Sequence, residues 1–339
     1  MARRRNKQVP RETMLKAKLE RSFVRVALPP ADLAPSAPSP LRVLQWNVLA
    51  DGLAQHGDFI KVPSAALEWE TRLPLILDEI EEASADICAI QELNRYEELR
   101  APLALRGYDG FFFPKHVSPA SQNRCPPDGL AIFYKKDRLE VAAQPAGTYL
   151  LDSRGRKMGH GFLRITLTDR LQGQQLVVVT THLKAKEGQE MDNIRLSQGP
   201  EVQAGCGQQQ QQQGPHLVPV IIAGDFNTIP TSAVCKMFQG HTVPLDSLWD
   251  LPTSGEPTAA TSDAAGGGVD TEFSTWKFRS VGESKRVIDY ILWTRGRGLQ
   301  PVARWRMLTE QEIGPTGLPT LRYPSDHVAL CADFQWTFS

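Results

Sequence analysis

Apolar residues fall along this chain in two rhythms. From Leu41 onward, short runs of strand length alternate with stretches at helical spacing. LRVLQWNVLA, DICAIQEL, PVIIAGDFN, RVIDYILWT and HVALCADFQWTF each pack several apolar residues into a short window with polar or turn residues beside it, and they predict strands. DGLAIFYKKDRLEV and GFLRITLTDRLQGQQLVVVTTHLKA predict antiparallel strands joined by turns. In SAALEWETRLPLILDEIEEASA, Leu67, Leu73, Leu75, Ile76, Leu77 and Ile80 fall at helical spacing, with Pro74 expected near a first turn or a kink. Strands outnumber helices and the two are intermixed, so an α+β or mixed α/β sandwich is expected rather than a regular parallel array.

Three segments break the rhythm. PPADLAPSAPSP, residues 29–40, reads as a linker, which sets residues 1–40 apart as a basic, Pro-rich, disordered arm and 41–339 as one domain. GPEVQAGCGQQQQQQGP and TSGEPTAATSDAAGGGVDTE read as loop insertions.

Composition narrows the class. The 339 residues are 41% hydrophobic and 22% charged, which suits a globular protein with a sizeable core. The formal net charge is zero, so any attraction for a polyanion must come from local clustering. Five cysteines without CxxC spacing suggest neither a disulfide framework nor a zinc site, and fit a reducing compartment. No apolar run reaches membrane-spanning length. The first 25 residues hold nine Lys/Arg and no apolar signal region. A cytoplasmic monomer is expected, with a mitochondrial presequence as the alternative reading of the basic N-terminus.

The candidate chemistry sits where strands end. Asn47 closes QWN, Gln91 and Glu92 close IQE, His182 is followed by Lys184 and Lys186, and Asp225 and Asn227 follow VIIAG. Asp289 lies in RVIDYI, and Asp326 and His327 precede the last strand. A carboxylate at the mouth of an apolar strand is costly unless it is solvated, paired or bound to a cation. Each residue alone has a plainer reading: Asn47 as a turn residue, GDFN as an Asx turn, His327 as a loop histidine. The ordered set carries the signal. Six such ends on one sheet would converge on one rim bearing hard oxygen ligands and two imidazoles, a donor set suited to Mg²⁺ or Mn²⁺ more than to zinc.

The order QWN, QE, THLKAK, GDFN, IDYI, SDH resembles the endonuclease/exonuclease/phosphatase superfamily over residues 41–339. Within it, LRVLQWNVLADGL, ALEWETRLPLILDEI, GYDGFFFPK, PDGLAIF, STWKFRSVGE, LTEQEIGP and YPSDH resemble the branch of carbon-catabolite-repressor-type deadenylases. The resemblance implies a four-layer α/β/β/α sandwich with its active site at one edge of the packed sheets, and a Mg²⁺-dependent phosphohydrolase. It implies Glu92 as metal ligand with Asn47 beside it, and Asp225 as the base for the attacking water with Asn227 fixing its geometry. His182 would be a donor to a non-bridging oxygen, and Asp289 would orient His327, an imidazolium.

Members of this branch cut poly(A), and one line removes the 2′-phosphate of NADP and NADPH. The cations Lys115, Lys184, Lys186 and Arg279 are the features that favour the second substrate. Lys184 and Lys186 are expected to share one face of a strand exit with His182. Where that line has arginine, this chain has Lys186, which keeps the charge and loses the bidentate fork. Pro200 falls where the family has an uninterrupted helix, so a late helix start or a loop is expected there. Three functions stay open: an NADP(H) 2′-phosphatase, a poly(A) 3′-exonuclease, and a non-enzymatic scaffold binding RNA or protein.

Overall fold

The computed structural model describes residues 18–26, 39–152, 154–207, 218–240, 244–251 and 272–337. In chain order the regular elements are β1 (Phe23–Arg25), β2 (Leu41–Asn47), α1 (Asp51–His56), α2 (Trp69–Ala83), β3 (Ile87–Leu93), α3 (Tyr96–Leu105), β4 (Tyr108–Pro114), β5 (Gly129–Lys135), β6 (Leu139–Leu151), β7 (Lys157–Asp169), β8 (Gln174–His182), α4 (Gln189–Gly207), β9 (Val220–Asp225), α5 (Ala233–Gln239), β10 (Leu245–Ser247), β11 (Thr275–Arg279), β12 (Gly282–Arg286), β13 (Asp289–Thr294), β14 (Leu299–Trp305), α6 (Glu310–Ile313) and β15 (Leu330–Trp336).

Alternation along the strands decides the layering. Successive side chains of a strand point to opposite faces. Val178, Ile221, Ala223, Ile291 and Trp293 face inward and join the core shared with β2, β3, β5 and β15. Their neighbours Val177, Val179, Val220, Ile222, Tyr290 and Leu292 face outward and pack with Val202 of α4 and with Val234 and Phe238 of α5. Ile76 and Ile80 of α2 and Leu99 and Leu103 of α3 cover the other sheet. The result is a four-layer α/β/β/α sandwich. One sheet runs β1-β14-β15-β2-β3-β5-β4, the other β10-β13-β9-β8-β7-β6, and β11-β12 form a separate hairpin. Pairing is antiparallel except for β2 with β3 and β8 with β9. No described helix is long and apolar enough to cross a membrane.

Four expectations are corrected. First, β5 and β6 do not pair: β5 ends in one sheet and β6 begins in the other. Arg138 fixes that corner through Asp86 at 2.9 Å and Asp169 at 3.2 Å. Second, α4 runs unbroken through Pro200, which is exposed. Tertiary packing overrides the proline, because Gly199 lies against Met237 and Gly205 against Phe162, so closely that a β-carbon would clash at either. The glutamine run and most of the Gly-rich segment lie outside the described residues. Third, the helical stretch is not one helix: a separate short turn over Ser64–Ala66 precedes α2, which begins at Trp69 and holds Pro74 past its first turn. Fourth, the domain does not start at Leu41. Residues 18–26, assigned by composition to the arm, pair β1 with β14 and bury Leu19 and Val26. The anchor is Arg21. Its side chain is fully buried and donates to Glu79 at 3.0 Å and to the carbonyl of Ala329 at 3.0 Å, and it lies over the Trp305 ring at 4.3 Å. Residues 1–17 lie outside the described residues.

Glu79 is buried, which raises its carboxyl above the ordinary range, and Arg21 opposes that shift. Removing one partner of a buried pair leaves an uncompensated charge. Arg21→Ala is expected to lower unfolding free energy by about 3 kcal/mol in urea titrations. The pH dependence follows from the sign of the shift. A raised carboxyl pKa costs nothing below the unfolded value, and the cost accumulates as pH rises from the unfolded to the folded value, which the substitution raises further. The loss is therefore expected to be larger near pH 8 than near pH 5; equal losses would contradict it.

Candidate active site

The carboxyl ends of β2, β3, β8 and β9 and the amino ends of β13 and β15 meet at one rim. The expectation of a single sheet is corrected here. Asn47, Glu92 and His327 come with the seven-stranded sheet, and His182, Asp225 and Asp289 with the six-stranded one. Register does the placing within the second sheet: His182 is opposite Asp225 across β8–β9, and Asp225 is opposite Asp289 across β9–β13. Gly224 is required next to Asp225 because a β-carbon there would stand 2.2 Å from the Thr181 carbonyl oxygen. Close approach of two strands demands this glycine.

The acidic residues are held apart by neutral amides. Asn47 Nδ2 donates to Glu92 Oε1 and to Asp225 Oδ2, both at 3.0 Å, and its Oδ1 accepts from the Leu49 amide. Asn47 stands beside Glu92, where it clamps two carboxylates with its N–H groups while its oxygen serves the backbone. Asp225 Oδ1 accepts from the Asn227 amide at 2.9 Å, which is the Asx turn. Its Oδ2 is left to face Asn47, His182 Nε2 at 3.5 Å and His327 Nε2 at 3.9 Å. The turn and the site are thus one structure: the turn fixes one oxygen so that the other is aimed. Glu92 and Asn227 both have left-handed backbone, with φ of 56° and 52°. Asparagine tolerates this region; for glutamate it is a local strain of the kind found at functional sites.

Asp289 is fully buried and accepts from Ser274 Oγ at 2.7 Å and from Gln45 Nε2 at 3.0 Å, and it bonds His327 Nδ1 at 2.8 Å. Burial disfavours charge on His327, but Asp289 and Asp326 outweigh it and raise the imidazole to about 9. His182 is driven the other way, well below its ordinary value, by burial and by the Lys115 charge. Burial beside Asp289 pushes Asp225 up to about 7, and His327 and Asn47 oppose that rise. One imidazole is therefore cationic and the other neutral.

Glu92, His182 and Asp225 can each offer a ligand atom, all within 4.8 Å of one another, and His182 Nδ1 has no hydrogen-bond partner. Two carboxylates and an imidazole of this kind can hold a divalent metal ion.

Among the cations, Lys115, Lys277 and Arg279 have carboxylate anchors. Lys115 pairs with buried Asp128 at 2.5 Å. Arg279 lies over the Phe59 ring at 3.8 Å and reaches Asp326 at 3.5 Å, and Asp326 also holds Lys277 at 2.6 Å. Lys184 and Lys186 do not extend the strand as expected. β8 stops at His182, so period-two alternation ends there; Lys184 is half-buried and Lys186 is exposed with φ of 80°.

Sequence reading missed Gln45, Ser274, Ser325, Lys277, His160 and Phe59. Gln45 left a signal: it is a polar residue two before Asn47 on an otherwise apolar strand, and so on the same face. Ser325 donates to the Asn47 carbonyl at 2.6 Å, and His160 lines a cleft with Lys115 and His182. Ser325 belongs to YPSDH, the motif quoted for its acid and its imidazole, and nothing in the sequence marked its hydroxyl. His160 left no signal, since a lone histidine in a strand is ordinary.

Comparison with known proteins agrees with this geometry. The model of the Endonuclease/Exonuclease/phosphatase family matches residues 44–327. The chain is 36% identical over 307 residues to nocturnin from Homo sapiens, covering 89% of this chain and 67% of the relative. It is 26% identical over 341 residues to the CCR4-Not complex 3′-5′-exoribonuclease subunit Ccr4 of Mycosarcoma maydis, covering 86% of this chain and 50% of the relative. Among solved structures it is similar to the human nocturnin catalytic domain with bound sulfate anion, with a TM-score of 0.70 and 30% identity, covering 94% of this chain and 97% of that one. Sequence motifs, fold and rim agree, and this chain belongs to the endonuclease/exonuclease/phosphatase family.

Proposed function

We propose that this chain is a Mg²⁺-dependent phosphohydrolase that removes the 2′-phosphate of NADP and NADPH to give NAD and NADH. The observation that carries the reading is the pairing of a carboxylate–imidazole cluster with the anchored cations Lys115 and Arg279. A phosphate monoester with a nearby pyrophosphate presents several charges at fixed spacing, and a single metal site cannot match them all. The nocturnin domain that this chain is similar to was solved with sulfate, a tetrahedral dianion like phosphate.

Glu92, with Asn47 beside it, would hold Mg²⁺, with Mn²⁺ as the alternative ion. When bound, the ion polarises the phosphoryl oxygens and offsets the charge that develops on them. Asp225 accepts the proton of the attacking water, since its Oδ2 is the oxygen left free by the Asx turn. The water oxygen bonds to phosphorus and the bond from phosphorus to the 2′-oxygen breaks. His327, kept protonated by Asp289, donates to that departing oxygen. His182, kept neutral, donates to a non-bridging oxygen. Asn227 keeps Asp225 aimed, and Lys115, Lys184, Lys186 and Arg279 take the remaining phosphates.

The second reading, a poly(A) 3′-exonuclease, is favoured by the likeness to Ccr4. Sequential bases need stacking platforms along a groove. Among the described residues every Phe, Tyr and Trp is buried or half-buried, which weighs towards the dinucleotide. A scaffold without activity is disfavoured because Glu92, Asp225 and His327 are all in place.

Purified protein with Mg²⁺ is expected to release phosphate from NADPH and to leave a poly(A) oligonucleotide at full length. Shortened poly(A) with untouched NADPH would transfer the chain to the exonuclease reading. Glu92→Gln is expected to weaken Mn²⁺ binding in calorimetry and to cut turnover at least about 100-fold with an unchanged circular dichroism spectrum. Full turnover with unaltered metal dependence would remove Glu92 from the site. Arg279→Ala is expected to raise KM for NADPH about tenfold and to leave hydrolysis of p-nitrophenyl phosphate within about twofold. Equal losses on both substrates would end its claim to substrate selection.

A further inference from the structure

We infer that Arg195 is a positioning residue that sets where the Lys184 and Lys186 ammonium groups stand, and through them the recognition of a substrate with more than one phosphate group. The inference rests on the 2′-phosphatase reading only for its choice of substrate. Beyond His182 the chain leaves the sheet: the Leu183 amide makes a last bond to the Asp225 carbonyl at 2.9 Å. The two lysines that follow have no ladder to fix them, and α4 supplies the replacement. Gln198 Oε1 accepts from the Lys184 amide at 3.0 Å. Arg195 Nη1 donates to the Lys184 carbonyl at 2.6 Å and to the Lys186 carbonyl at 2.9 Å, and Nη2 pairs with Asp192 at 2.6 Å.

Arg195 is 3% exposed, so a guanidinium has been taken from water to bind two backbone oxygens of a surface loop. Removing a charge from water is costly, and the cost is offset here by bonds to two carbonyls that apolar packing would leave unpaired. The bonds bracket the segment at both ends, and they hold Lys186 at φ of 80°, a conformation that lysine adopts at a cost. Without these bonds Lys186 is expected to return to negative φ, which would redirect its side chain. On the far side Glu187 pairs with Arg286 at 2.5 Å, which ties the loop to the hairpin that carries Arg279. Arg195 makes none of its hydrogen bonds to Glu92, Asp225, Asp289 or His327, and His182 is held independently by the β8–β9 ladder. A planar fork can serve two carbonyls at once; a lysine can serve one well.

The test compares wild type, Arg195→Met and Arg195→Lys, each first checked for a folded thermal transition. KM for NADPH is expected to rise about tenfold in Arg195→Met with kcat within about threefold, and Arg195→Lys to fall between the two. KM and kcat for p-nitrophenyl phosphate, which carries one phosphate, are expected to stay within about twofold. Equal losses on both substrates, or an unchanged KM for NADPH, would overturn the inference. If the wild type hydrolyses the small ester and not NADPH, the substrate reading falls by itself. The inference is then decided with adenosine 2′,5′-bisphosphate as a competitive inhibitor of small-ester hydrolysis. Weaker inhibition in Arg195→Met upholds it, and an unchanged inhibition constant overturns it.

Discussion

A carboxylate buried between two sheets is the constraint that organises this molecule. Most of the interface between the sheets is apolar, but beneath the rim Asp289 sits with no exposure. An unmatched charge there would cost several kcal/mol. It is matched from both sides. Gln45 reaches across from β2, Ser274 donates from the segment before β11, and His327 bonds it from the loop before β15. Gln45 also donates to Gln91, which in turn donates to Thr180 on β8. This polar seam fixes the relative position of the two sheets at the place where each contributes half of the site. A slip of either sheet would strand a buried charge, whereas apolar packing alone would tolerate a small displacement.

Above the seam, charge is set by the ionisable groups that face one another. His327 is cationic because two carboxylates face it, and His182 is neutral because burial and Lys115 disfavour its proton. Asp326 performs the same service for Lys277 and Arg279, which together with His327 hold its carboxyl well below the ordinary range against the effect of burial. Lys277 and Arg279 are thus fixed before any ligand arrives, and an anionic ligand meets them without the cost of ordering those side chains. Backbone strain is placed in the same region. Glu92, Lys186 and Asn227 all have positive φ, and each is held there by the turn or loop whose geometry aims a functional group.

Legibility in the sequence followed chemistry. Asn47, Glu92, His182, Asp225, Asp289 and His327 could be picked out because each precedes, interrupts or ends an apolar strand, where a polar residue needs a reason. The same rule pointed to Gln45 and was not applied far enough inside the strand. Ser274 and Arg195 could not be found that way. A serine or an arginine in a polar stretch is ordinary, and only the fold shows that one caps a buried carboxylate and the other holds a loop. Pro200 and the basic arm misled in the opposite sense. Local propensity spoke for a break and for disorder, and packing against Met237 and Phe162, or pairing with β14, prevailed.

The sequence by itself determined the kind of elements, the four-layer class through its motifs, and the identity of the chemical groups at the rim, because these depend on periodicity and on the cost of polar groups in apolar surroundings. Tertiary structure alone decided which sheet each group belongs to and which oxygen of Asp225 is free. It alone decided which histidine is charged, and where Lys184 and Lys186 stand. Those properties are set by distances between residues far apart in the chain. Electrostatic and hydrogen-bond energies depend on such distances, and a one-dimensional pattern does not contain them.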